Sequence, residues 1–147
     1  MGKLLDEGLQ KQVREVFEDL LNPVAILFFN RKENCDYCAD TQALLEEVVA
    51  LSDRLSLEVF DIDENADIAK QYHVDKAPGY SIVGNDGGGY IDYGVRFAGI
   101  PSGHEFTSLI NDLLLVSKGV SGLNEQTREF LAGLSEPVLL QVFVTPT

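Results

Sequence analysis

The chain has 147 residues, of which 45% are apolar and 24% charged, the balance of a folded domain and not of a disordered segment. At that length it should bury roughly 70% of the surface its unfolded form exposes. Eleven Lys and Arg stand against 24 Asp and Glu, a formal charge of −13, so no basic stripe exists to displace counterions from phosphates or to hold an anionic membrane face. Nucleic acid and membrane are thereby excluded as partners. The longest apolar run is far short of a membrane span. Asp6-Glu7 falls where a signal peptide would continue its apolar core, so the expected location is the cytoplasm. In that reducing compartment two close cysteines point to catalysis or metal binding before structure.

Apolar residues at Leu5, Leu9, Val13, Val16, Phe17 and Leu20 have helical spacing and predict a helix over 4–21, stopped by Asn22-Pro23. Val24 to Phe29 is an unbroken apolar run of strand length, as a strand buried on both faces requires. A polar loop follows over 30–34, then a helix over 39–51 and a second strand over 55–60. A short helix is expected over 66–72. Pro78 interrupts the chain before a strand at 80–83, and Asn85-Asp86-Gly87-Gly88-Gly89 has hairpin composition. A returning strand over 91–97 and a helix over 105–116 complete the unit. Strands joined through helices imply parallel pairing and the hairpin an antiparallel half, so the expected fold is α/β, a mixed sheet with helices on both faces.

The ending repeats the beginning. At an ungapped offset of 114 residues Gly8-Leu9 falls on Gly122-Leu123, Arg14-Glu15 on Arg128-Glu129, Pro23-Val24 on Pro137-Val138 and Phe29 on Phe143. The expected organisation is a complete unit at 1–118 and, over 119–147, the helix and first strand that open a second, incomplete unit. A run such as 138–143, parted from its neighbours, should pair with an edge of its own unit or with a neighbouring copy, the latter giving a homodimer. Bare exposure is the least expected outcome.

The chemistry centres on Cys35-Asp36-Tyr37-Cys38, set between a buried-type strand and a helix. A helix N-terminus lowers a thiol's pKa through its free N–H groups and positive dipole end. Two intervening residues let the second thiol resolve a mixed disulfide formed by the first; the alternative is a pair of inert thiols. Arg31 and Lys32 favour the Cys35 thiolate, whereas Glu33, Asp36 and Asp40 oppose it. A pKa moderately below the free value of about 8.5 is expected. Zinc would need two further ligands, and only His73 and His104 are on offer, so no metal is expected. Asp61-Ile62-Asp63-Glu64 lacks the glycine and terminal glutamate of a calcium loop and reads as a strand end before a helix. The glycines at 87–89 have no strand-to-helix context, which rules out a phosphate loop. Ala77-Pro78-Gly79 precedes a strand beside the parallel pair and is either a plain trans turn or a cis proline, which at that place exposes a backbone edge to an extended substrate.

This order of elements resembles the thioredoxin fold, and Tyr37 before the second cysteine resembles glutaredoxins. The sequence departs from thioredoxins in having no tryptophan and in carrying Leu27-Phe28-Phe29 where they usually place a buried acid. With the internal repeat, the chain resembles the tandem-unit protein disulfide oxidoreductases, Val95 to Phe106 looking like that family's passage from last strand to last helix. The resemblance implies a thiol–disulfide oxidoreductase acting on protein disulfides, Cys35 attacking and Cys38 resolving. It also implies a substrate edge at Tyr37, Ala77 and Pro78, a cis bond before Pro78, no cofactor beyond the cysteine pair, and a thioredoxin-reductase-like electron donor. A relative keeps a second reading open. The flavoprotein reductase serving bacterial peroxiredoxins also begins with a tandem pair, whose first unit has typically lost its cysteines. On that reading this chain is a docking unit of a larger redox protein.

Overall fold

A computed structural model describes residues 2–145. Met1 lies outside them, as do Pro146 and Thr147 at the end of the repeated segment.

Helix α1 (Glu7–Phe17) opens on Asp6, whose carboxylate accepts the Leu9 N–H at 2.8 Å. The apolar rhythm runs further than the helix because Leu5 and Leu20 are also core residues. Their backbone neighbourhood is held by distant partners instead. Leu4 and Leu5 N–H donate to the Glu47 carboxylate (2.7 and 2.9 Å), and Leu21 and Asn22 N–H donate to Ser117 Oγ (2.9 and 3.0 Å).

Strand β1 (Val24–Asn30) is the centre of the molecule. It pairs in parallel with β2 (Leu55–Asp61) and antiparallel with β3 (Gly79–Asn85), which pairs with β4 (Tyr90–Ala98). The order is β2-β1-β3-β4, a mixed four-stranded sheet. Residues alternate across it with period two. Val24, Ile26 and Phe28 pack into one cluster with Val13 and Phe17 of α1, Leu44, Leu45 and Val48 of α2 (Cys38–Val49), and Leu109 and Leu113 of α4 (His104–Lys118). Ala25, Leu27 and Phe29 join Ile62, Val74 and Ala69 of α3 (Ala66–Gln71) on the other face. Burial on both faces explains the unbroken apolar run.

The strands outgrow their predicted limits by one or two residues because backbone pairing, unlike apolar patterning, continues into Asn30, Asp61 and Asn85. A bulge lies where Val95 opposes Ile82 but Asp92 opposes Val83, with Gly94 at φ 83° in the extra turn. Gly79 is required by close approach, since a Cβ there would lie 2.3 Å from the Lys76 carbonyl oxygen.

The repeated segment departs from expectation. Helix α5 (Glu125–Ala132) forms but buries no residue. Val138 to Phe143, expected as a strand paired to some edge, is irregular, and Leu140 is 85% exposed. A strand needs neighbours for its N–H and C=O groups, and among the described residues this run pairs with neither β2 nor β4. No helix among the described residues is long and apolar enough to cross a membrane.

Candidate active site

Register brings the chemistry to one end of the sheet. Phe29 opposes Gly79 across β1 and β3, and Asn30 opposes Asp61 across β1 and β2. The loop leaving β1 towards the cysteines, the Ala77–Pro78 step entering β3 and the turn leaving β2 therefore share that end. Phe29 stacks on Phe60 at 5.3 Å beneath it.

Cys35 and Cys38 are joined as a disulfide with their Cα atoms 5.5 Å apart. Cys38 is the first residue of α2 and is buried, while Cys35 lies in the preceding loop and is half-buried. The helix thus begins one turn after Cys35, a residue earlier than periodicity indicates. Tyr37, at the N-cap, offers no side-chain cap and is 59% exposed. The opening N–H groups of α2 are left without intrahelical partners, as at any helix start. Thr41, which sequence reasoning passed over, is fully buried and holds this turn. Its N–H (2.9 Å) and its hydroxyl (2.7 Å) both donate to the Tyr37 carbonyl. The signal was a Thr four residues after Tyr37, the spacing at which a helical hydroxyl bonds back to its own backbone.

The charges are arranged differently from their order in sequence. Arg31 Nε and Nη2 donate to the Asp63 carboxylate at 2.8 and 3.2 Å, and Lys32 Nζ donates to Glu64. These bonds pin the cysteine loop to the turn after β2 and hold the Arg31 and Lys32 pKa values above their ordinary ranges. The two cations counted as support for the Cys35 thiolate are thereby committed to acids 32 residues on. Asp61 closes the same turn, accepting the Glu64 and Asp63 N–H groups at 3.0 and 2.9 Å. Those backbone bonds, Glu64's foremost, hold its carboxyl below the usual range. The acids of this segment thus build a strand-to-helix turn.

The Ala77–Pro78 peptide is cis, as the resemblance implies. Pro78 is buried, Ala77 half-buried, and the Gly99 N–H donates to the Pro78 carbonyl at 2.8 Å. Arg96, half-buried and paired with Asp92, donates to the Tyr72 carbonyl and so braces the chain leading to Pro78. Leu27, Phe28 and Phe29 are at most 1% exposed, so the strand feeding the cysteine loop carries no acid beneath the disulfide. His73 and His104 are both exposed, one in the turn after α3 and one at the start of α4. Among the described residues no group of three His, Cys, Asp or Glu is placed to hold a metal.

A parallel β1–β2 pair, an antiparallel β3–β4 hairpin, a Cys-x-x-Cys between β1 and α2 and a cis proline opening β3 define a thioredoxin-like fold. Residues 26–86 match the glutaredoxin-like domain family (DUF836). Over 131 residues the chain is 32% identical to the alkyl hydroperoxide reductase AhpF of Pseudomonas aeruginosa, spanning 89% of this chain and 22% of that protein. It superposes on a protein disulfide oxidoreductase from Aeropyrum pernix with a TM-score of 0.77 and 27% identity, covering 90% of this chain and 57% of that one. The NTD_N/C domain of the alkylhydroperoxide reductase AhpF of Enterococcus faecalis gives 0.74 and 26%, covering 85% and 58%. The chain therefore has a thioredoxin-like fold, is similar over residues 26–86 to the glutaredoxin-like domain family, and over most of its length is similar to a region of AhpF. It spans about a fifth of the length of that curated relative.

Proposed function

We propose that residues 1–118 are a thiol–disulfide exchange unit acting on protein disulfides, with Cys35 attacking and Cys38 resolving. The observation that carries this reading is the asymmetry of the pair, one sulfur in a half-exposed loop and the other buried at the start of α2. In the reduced protein the Cys35 thiolate meets the uncapped opening turn of α2, whose N–H groups and dipole favour negative charge there. It attacks one sulfur of the substrate and expels the other as a thiolate. Cys38 then attacks Cys35 Sγ, closing the protein disulfide and releasing the second substrate thiolate. Two electrons pass to the substrate, and the two thiol protons end on its sulfurs. Tyr37 and the Ala77–Pro78 step form the substrate edge, where an extended segment pairs with exposed backbone. A thioredoxin-reductase-like donor would restore the dithiol. Reduction of insulin by the protein, against free dithiothreitol at equal thiol, tests the reading; a rate equal to that of free dithiol overturns it.

A second reading has its own support. Similarity to part of AhpF favours a unit that works within a larger redox protein, with 119–147 opening a second thioredoxin-like unit. In that setting the unit mainly docks and presents a substrate surface, and the main redox centre lies elsewhere in the larger protein. Catalysis of insulin reduction by this chain alone separates the two.

A further inference from the structure

We infer that the site selects disulfides set among positive charges, and that Glu33, Asp36 and Asp40 are the residues that discriminate. This rests on the exchange reaction proposed above and names the class of its substrate.

Cys35, half-buried, is flanked along the chain by Glu33 and Asp36, both exposed, with Asp40 exposed on the first turn of α2. The cations of the neighbourhood are already engaged: Arg31 with Asp63, Lys32 with Glu64 and Lys76 with Asp75. Each ion pair cancels an acid of a neighbouring turn. Among the described residues none of Glu33, Asp36 and Asp40 has an ion-pair partner, so no neighbouring cation cancels their charges. Tyr37, between the two cysteines and 59% exposed, adds an aromatic ring, the surface a cation prefers. The chain's formal charge of −13 gives the long-range field the same sign. A substrate disulfide flanked by Lys or Arg is favoured on approach, and the thiolate it expels is stabilised by its own cations. A carboxylate-flanked disulfide is repelled at both stages. Charge of one sign around a site changes the encounter rate of opposite charges by about tenfold or more at low salt.

The test is a single turnover of pre-reduced protein, which supplies its own two electrons, with three small disulfides: dicationic cystamine, neutral hydroxyethyl disulfide and dianionic dithiodiglycolate. Each rate is divided by that of free dithiothreitol with the same compound. The expected result is a cystamine preference over dithiodiglycolate of about tenfold. It should shrink as salt brings the screening length from about 10 Å at 0.1 M to about 3 Å at 1 M. In Glu33→Gln/Asp36→Asn/Asp40→Asn protein the ratio should fall towards one. A normalised ratio near one in the natural protein, or a preference that neither salt nor the triple substitution reduces, overturns the inference while leaving exchange chemistry standing. No reaction with the neutral disulfide beyond that of free dithiol overturns the exchange reading and this inference with it.

Discussion

Two stretches of this chain carry the same helix-to-strand pattern and meet opposite fates. Val24 to Phe29 is buried throughout, with no residue more than 1% exposed. Val138 to Phe143, which repeats its Pro-Val start and its Phe end, is irregular, with Phe143 87% exposed. The preceding helices differ in the same way, α1 burying Val13 and Phe17 and α5 burying nothing. Helix capping survives in both, through Asp6 and Asn124, because a cap is local. The strand does not, because its hydrogen bonds and its apolar faces are supplied by other strands and helices. Apolar patterning makes a strand possible; neighbours make it form.

The largest contrast is in the strands themselves. Phe28→Ala should cost about 3–5 kcal/mol, a large share of a domain's total stability, whereas Phe143→Ala should change stability by no more than about 0.5 kcal/mol. Urea titrations followed by circular dichroism check both, and equal effects would break the comparison.

The turn before each strand comes next. Ser117 is buried and accepts the Leu21 and Asn22 N–H groups while donating to the Asn22 carbonyl at 2.7 Å. No corresponding clamp holds the turn at 135–137 among the described residues. Ser117→Ala strands those backbone groups and should cost about 1–3 kcal/mol, measured by thermal unfolding.

The caps give a smaller and sharper contrast. Asp6→Ala should lower global stability by about 1 kcal/mol. Asn124→Ala, at a helix that buries nothing, should leave the global midpoint in place and speed amide exchange only within α5.

The smallest effect concerns pH. Burial pushes the Tyr80 phenol well above its ordinary value, and among the described residues its hydroxyl finds no hydrogen-bond partner. The folded phenol stays neutral while the unfolded one ionises, so its contribution is intact below about pH 10 and stability falls as pH rises past that value. Tyr80→Phe should remove this alkaline loss and be neutral or slightly stabilising at pH 7; a fall in midpoint at pH 7 would show that the hydroxyl is satisfied.

Much of this was legible in the sequence. The β1 run, the Cys-x-x-Cys between strand and helix and the hairpin glycines are local signals, and the mixed sheet follows from them. Cys38's place at the start of α2 was legible to within a residue. The true ends of α1 were not, because Leu4 and Leu5 are held by Glu47, more than forty residues away. Nor was the neutralisation of Arg31 and Lys32, since Asp63 and Glu64 reach them only once β1 and β2 lie side by side. The exposure of 138–143 was hidden for the same reason. Its sequence resembles a core strand, and only the neighbours decide.

The proposed roles, Cys35 attacking and Cys38 resolving, are tested by mixing Cys38→Ser and Cys35→Ser proteins with an oxidised protein substrate and resolving the products by non-reducing electrophoresis and mass spectrometry. The expected result is a stable mixed disulfide through Cys35 in the Cys38→Ser protein and none in the Cys35→Ser protein, because Cys38 is buried. Equal trapping by both, or trapping only through Cys38, would contradict it.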